Sequence, residues 1–174
     1  MLFGPEQIAC TRSAFQSAER LTGKHFGFGP DAWLRHTYDV RTLALLREYE
    51  VNSSVFAQLF RYGAGHPEAG PRRRSGDFYR VCIQDNRVLD AVRRSGSFIR
   101  LMPLMLYIAV HELIHIVRFC RGESDFDMPA PERIAEEKRV HEITRQALRP
   151  VASPELDLVL QCFSDDYVIE GIYN

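Results

Sequence analysis

The sequence contains only four cysteines, and no two of them form the CxxC pair typical of zinc ribbons and thioredoxin-type redox sites. The four residues, widely separated along the chain, are Cys10, Cys82, Cys120 and Cys162. This spacing excludes both kinds of site. We expect four reduced cysteines that serve as small residues of the hydrophobic core.

A strong excess of charge of either sign is also absent. The 174 residues carry a formal net charge of −1, and the sequence pI is about 6.6, so the chain as a whole does not attract nucleic acid or an anionic membrane. Its one basic run, residues 72–74, lies between Pro71 and Gly76, where we expect a solvated loop. We therefore expect no nucleic-acid partner.

Long uninterrupted hydrophobic runs are missing as well. The start of the chain lacks the positive charge and the apolar stretch of a signal peptide. The most apolar segment, residues 101–117, follows Arg100, contains Pro103 and includes two histidines and a glutamate, so we do not interpret it as a membrane span. These features predict a cytoplasmic protein without a membrane partner.

Within this apolar segment stands the string His-Glu-Leu-Ile-His, residues 111–115. In a helix, positions four apart lie on one face, so His111 and His115 can share one metal ion. Glu112 lies about 100° around the helix from His111, beside such an ion. This is the HExxH signature of zinc-dependent hydrolases, in which the glutamate is the general base. The alternative is a buried helix whose histidines are merely hydrogen-bonded.

The length and a hydrophobic content of 45% predict a single domain over residues 1–174. Apolar spacing, capping residues and prolines predict a mostly helical chain, whereas residues 30–50 fit neither helix nor strand clearly. The expected helices are residues 5–21, a short one from Asn52 or Ser53 through Phe60, one through Val88 and Val92, the motif helix beginning at Ser97 or Pro103, residues 132–148, and a last one capped by Ser153.

One strand, Phe78–Ile83, is predicted by its β-forming residues and by the turn residues that bound it. It precedes the motif helix closely enough to lie beside the site. Zinc peptidases commonly bind an extended substrate along an exposed strand edge. The strand is therefore either such an edge or an internal strand of the core, and the sequence leaves both open.

A catalytic zinc site needs a third protein ligand. The next predicted helix offers Glu136, Glu137 and His141. Glu137 and His141 are four apart and face the same way, whereas Glu136 is turned aside by about 100°. The extended metzincin string is excluded, because arginines occupy the positions of its glycine and of its last histidine; they are Arg118 and Arg121.

Over residues 111–141 the chain resembles the gluzincin zinc metallopeptidases, whose third ligand is a glutamate on the following helix. The resemblance implies an α+β fold of zincin type, mostly helical, with a small sheet next to the HExxH helix. It implies that Zn²⁺ is bound by His111, His115 and Glu137, and that Glu112 is the catalytic base. His141 takes the place of a family aspartate that supports a ligand, so it either supports a ligand or coordinates the metal itself.

The function expected from these residues is zinc-dependent hydrolysis of a peptide or protein substrate. Glu112 would accept a proton and pass it to the leaving amine, while a further donor steadies the oxyanion. Candidates for that donor are Tyr167, Arg145 and His141. The sequence does not determine the substrate, the cleavage preference or the oligomeric state.

Two other functions stay open at this point. The first is a non-catalytic metal-binding or interaction protein, either with a site closed by both Glu137 and His141 or with a cleft blocked by the tail, residues 167–174. The second is a di-iron protein, since Glu112 and His115 also form a Glu-x-x-His motif. Di-iron bundles need that motif on two helices, and it occurs here once.

Overall fold

The computed structural model describes residues 1–63, 65–69, 76–96 and 98–163, which form an α+β fold. The basic run 72–74, Ser97 and the tail 167–174 lie outside the described residues. The α-helices are α1 (Pro5–His25), α2 (Asp85–Arg94), α3 (Leu101–Cys120), α4 (Ala130–Leu148) and α5 (Pro154–Cys162). The β-strands are β1 (Tyr38–Arg41), β2 (Ala57–Tyr62) and β3 (Phe78–Ile83).

The three strands form one sheet in the order β1-β3-β2. Strand β1 runs parallel to β3 with Val40 opposite Val81, and β2 runs antiparallel with Leu59 opposite the same valine. All six residues of β3 are buried. The predicted strand is thus confirmed as an internal one, and it offers no free edge to a substrate, because both of its sides are hydrogen-bonded.

The helix predicted from Asn52 or Ser53 through Phe60 is wrong. Residues 57–62 form strand β2, paired along its whole length with β3. The apolar residues Phe56, Leu59 and Phe60 are spaced as on a helix, but a six-residue ladder with a buried strand outweighs that local pattern. Residues 30–50, whose apolar spacing fits neither helix nor strand clearly, contain β1 and three short 3-10 turns.

The helices follow the sequence prediction closely. Helix α3 begins at Leu101 with Pro103 in its first turn, where the missing N–H of proline does no harm. Ser153 caps α5 by accepting a hydrogen bond at Oγ from the backbone N–H of Leu156, at 3.2 Å. The exception is α1, which continues past its predicted end at residue 21 to His25.

Helix α3 runs through the hydrophobic core and packs mainly against α1, α4 and α5. By length and composition alone it could cross a membrane, with a mean hydropathy of 1.4. However, 83% of the most apolar 18-residue stretch of this helix is buried inside the protein. Such burial is typical of a helix in a hydrophobic core. This burial is what places the two motif histidines away from bulk water.

The cysteines are free thiols, as expected, but only one is a fully buried core residue. Cys82 lies in the central strand β3, and burial raises the pKa of its thiol. Cys120 and Cys162 are exposed. The prediction of core positions is wrong for these two, because they are the last residues of α3 and α5, where each helix emerges from the core.

Candidate metal centre

His111 and His115 stand one turn apart on α3, and both side chains are almost completely buried. Their Nε2 atoms are 3.2 Å apart. The predicted common face is therefore confirmed, since the two rings direct the same kind of nitrogen to one point. Two imidazole nitrogens this close in a dry core require a proton or a cation between them.

Helix α4 brings a carboxylate to the same point. Glu137 places Oε2 at 3.2 Å from Nε2 of His111 and Oε1 at 2.9 Å from Nε2 of His115. Zinc binds nitrogen and oxygen ligands at about 2.0–2.2 Å in a tetrahedron, whose edges are then roughly 3.3–3.6 Å long. The three donors are close to that spacing, so these residues fit a small divalent cation.

The charges of the site also favour binding of a cation. Burial raises the pKa of Glu137, but the two imidazoles lower it further, and the net pKa lies well below the ordinary value of a glutamate. Burial lowers the pKa of His115, but Glu137 raises it further, and the net pKa is above that of an ordinary histidine. The site therefore stabilises positive charge.

Glu112 follows His111 directly on α3 and is buried to the same degree. Its Oε2 has no hydrogen-bond partner among the described residues. Burial raises the pKa of this carboxyl, and the neighbouring imidazoles compensate only in part. A buried carboxyl with a raised pKa and an uncommitted oxygen has the properties of a general base or acid.

His141 lies on α4, one turn after Glu137. Its ring centroid is 4.8 Å from that of His111, and its Nδ1 is 2.8 Å from the hydroxyl of Tyr107. Donor atoms of His111, Glu137 and His141 all lie within 4.8 Å of one another, so this group could hold a metal ion. All four predicted ligand residues are thus brought together, with His141 beside the other three.

Of the other two predicted oxyanion donors, the structure describes only Arg145. Arg145 lines a surface groove on α4 together with Lys138 and Glu142. Tyr167 lies outside the described residues. Of the three candidates, His141 is therefore the one that the described structure places next to the donors of the metal site.

Two features of the site were missed in the sequence. Tyr107, which contacts His141, stands four residues before His111, so the spacing that links the histidines would also have found it. Glu136 is turned away from the site, as predicted, but it forms a buried ion pair with Arg118. No pattern in the sequence marks that pair, because its members come from different helices.

Comparisons with protein-family models, with curated proteins and with solved structures found no match for this chain. The case for a function therefore depends on the geometry of the site itself.

Proposed function

We propose that the protein is a zinc-dependent metallopeptidase of the gluzincin kind, with His111, His115 and Glu137 as metal ligands and Glu112 as the base. The observation that carries this proposal is the convergence of three side chains, whose Nε2 and carboxylate oxygen atoms lie 2.9–3.2 Å apart in each pair. Two histidines and a carboxylate leave one position of a tetrahedron for substrate, as catalytic zinc sites require. The same proposal includes a zincin-type fold.

In this proposal the metal, Glu112 and the apolar surroundings of α3 have separate roles. When bound, zinc supplies a Lewis acid that polarises a carbonyl and lowers the pKa of a water molecule toward about 7. Glu112 accepts a proton from water at its uncommitted oxygen and passes it to the nitrogen of the leaving amine. The apolar surroundings of α3 exclude bulk water and strengthen these electrostatic interactions.

The test is a comparison of the wild-type chain with the Glu112→Gln variant, which keeps the shape of the side chain and removes the base. Both proteins are analysed for bound metal and incubated with a random library of quenched fluorogenic peptides. We expect one zinc per chain in both proteins and cleavage by the wild type alone. Equal cleavage by the variant, or no cleavage by zinc-loaded wild type, would overturn the proposal.

A second candidate, a metal site without catalysis, is favoured by one observation. His141 lies within 4.8 Å of the His111 and Glu137 donors, and a fourth protein ligand would close the tetrahedron. In that case zinc joins α3 to α4 and hydrolysis is absent. Metal analysis also distinguishes zinc from iron, which uses sites of two histidines and one carboxylate as well.

A further inference from the structure

Strand β1 forms one edge of the sheet and has a single neighbour. The strand order β1-β3-β2 places β3 on one side of it, and no segment in the described part of the chain pairs with its other side. All four residues of β1 are only half-buried. The unpaired backbone groups of an edge strand are a template on which another strand can add. Strand β1 can therefore accept an extended partner segment.

The hydrogen-bond pattern of the β1-β3 ladder shows which backbone groups are available. The N–H of Tyr79 donates to the carbonyl of Thr37 at 3.1 Å, and Tyr38 lies opposite Tyr79. Inward and outward backbone groups alternate along a strand of a parallel pair. The odd-numbered residues of β1 therefore direct their N–H and C=O groups to β3, whereas Tyr38 and Val40 direct theirs outward.

The side chains of β1 alternate between the two faces of the sheet. Tyr38 and Val40 pack against the main core on the side of α1. Asp39 and Arg41 lie on the opposite face, where Asp39 accepts hydrogen bonds from the buried Arg80. The side chains of Asp39 and Arg41 keep 34% and 29% of their surface exposed. The edge thus carries one exposed negative charge and one exposed positive charge, on either side of Val40.

We propose that a second copy of the chain pairs with this edge, β1 against β1 in antiparallel orientation, about a two-fold axis at Val40. In this register the N–H of Val40 in each copy donates to the carbonyl of Val40 in the other. Asp39 then lies opposite Arg41 of the partner subunit, and the two-fold axis repeats this pair on its other side. The two sheets join into one continuous sheet.

Charge selects both this partner and this register. Residues directly opposite in an antiparallel pair have Cβ atoms about 4.5–5.5 Å apart, so unlike charges attract there and like charges repel. An axis moved by one residue would place Asp39 opposite Asp39 of the partner subunit, or Arg41 opposite Arg41 of the partner subunit. An axis at Val40 gives unlike charges on both sides, so the strand is complementary to itself.

Arg41 is able to take part in such a pair. Its contacts within its own chain are long, with Nε at 3.4 Å from Asp39 and Nη1 at 3.5 Å from Glu68. Charge-assisted hydrogen bonds of good geometry are about 2.7–2.9 Å long. A carboxylate of the partner subunit can therefore add to the contacts of this guanidinium without breaking a strong one.

An apolar groove adjoins the edge on the side of α1. It has a volume of about 380 Å³, and its lining includes Val40, Phe15, Ile8 and Leu45. The last two side chains are 40% and 65% exposed. A strand added to the edge would cover part of this groove, and two-fold symmetry would do so in both copies. Burial of apolar surface then adds to the hydrogen bonds and the charge pairs.

Analytical ultracentrifugation of the full chain at several concentrations, with a chelator present, tests the dimer. We expect a monomer–dimer equilibrium for the wild type. Arg41→Glu should raise the dimer dissociation constant by about tenfold or more, because two attractive pairs become repulsive. Arg47→Glu is the matched control, since it makes the same change of charge and also removes a contact with Glu68, but lies outside β1. It should associate as the wild type does.

Amide hydrogen exchange, followed residue by residue by NMR, tests the register. The N–H groups of Asp39 and Arg41 are bonded to β3, so we expect them to be protected at every protein concentration. The N–H of Val40 should become protected only as the dimer forms. In Arg41→Glu this protection should require a protein concentration about tenfold higher, in step with the dissociation constant.

Several outcomes would contradict the inference. A wild type that stays monomeric at the concentrations used for NMR would overturn it. A dimer in which Val40 exchanges as fast as in the monomer, or which Arg41→Glu does not weaken, would mean association through another surface. Protection of Val40 in the monomer would mean that a segment of the same chain covers the edge. If Arg41→Glu fails to fold, the concentration dependence of Val40 exchange in the wild type decides alone.

The dimer is independent of the proposed metal site. Helix α3 contacts β2, the opposite edge of the sheet from β1. A wild type that dimerises as expected but binds no zinc would therefore overturn the proposed function alone, and a monomeric zinc peptidase would overturn only the dimer.

Discussion

Arg118 and Glu136 form a buried two-fold hydrogen-bonded ion pair between α3 and α4. Nε of Arg118 is 2.6 Å from Oε1 of Glu136, and Nη2 is 3.0 Å from Oε2. Arg118 follows His115 by three residues, and Glu136 directly precedes Glu137. The pair therefore fixes the position of the Glu137 carboxylate relative to the two histidines.

Removing one member of this pair should destabilise the protein strongly. We expect Glu136→Gln to lower the free energy of unfolding by about 1–3 kcal/mol, since the guanidinium loses its buried counter-charge and keeps only the exposed carboxylate of Glu123, at 2.9 Å. Urea unfolding measures the change. The control is Glu132→Gln on the exposed surface of α4, which should stay within about 0.5 kcal/mol of wild type.

Replacing both members should cost less than replacing one, because no uncompensated charge stays buried. The Arg118→Met, Glu136→Leu double variant should therefore be more stable than Glu136→Gln. A double variant that is as unstable as the sum of the two single changes would show that the pair is not energetically coupled.

Zinc should stabilise the folded protein through Glu137. A ligand that binds only the folded state adds about 2.7 kcal/mol at a free concentration 100 times its dissociation constant. Thermal unfolding with zinc and with a chelator should thus give a higher Tm with zinc for the wild type, and no difference for Glu137→Ala. Glu142→Ala, on the exposed face of the same helix, is the control. A Tm that responds to zinc equally in all three proteins would indicate binding elsewhere.

The convergence of donors at the site could be predicted because it follows from helix geometry. Four-residue spacing places His111 and His115 on one face, and the same rule selects Glu137 and His141 rather than Glu136. Buried histidines need a polar partner, and this requirement predicts that the two helices pack together at the site. Several helix starts were also predictable, since prolines and the Ser153 cap mark them.

The environment of the sheet could not be predicted, because it depends on contacts between distant segments. Arg80 is completely buried in β3, although an arginine in a strand ordinarily indicates an exposed position. It is neutralised by Asp39 at 2.9 Å, Glu50 at 3.0 Å and Glu68 at 2.7 Å, which come from three separate segments. Strand β2 was mistaken for a helix for the same reason, since its partner lies about 20 residues away in the chain.

Glu68 should contribute to resistance against acid. Hydrogen bonds from Arg80 and then Arg47 lower the pKa of its carboxyl from 4.5 to about 2. The unfolded chain therefore binds this proton at a higher pH than the folded chain does. The resulting stabilisation is present above pH 4.5 and is lost as the pH falls through about 2.

Glu68→Gln removes this titration. We expect the variant to be less stable than wild type at pH 6 and to lose less stability between pH 4.5 and pH 2, the interval set by the two pKa values. Chemical denaturation at several pH values measures both effects. Glu48→Gln, an exposed residue of a nearby 3-10 turn, should follow the wild-type curve. A Glu68→Gln curve parallel to wild type would show that the Arg80 contacts do not hold this carboxyl ionised.

Glu112 should lower the stability of the metal-free protein, because its carboxyl is buried without a full set of hydrogen bonds. Its side chain is buried, and one carboxyl oxygen lacks a hydrogen-bond partner in the described part of the chain. Glutamine has the same shape without the charge, so in the presence of a chelator at neutral pH we expect Glu112→Gln to be more stable than wild type by about 1–3 kcal/mol. Glu142→Gln is the exposed control and should change little. A metal-free Glu112→Gln protein that is less stable than wild type would mean that the carboxylate of Glu112 is a structural partner of the imidazoles. Its assignment as a base would then no longer be supported.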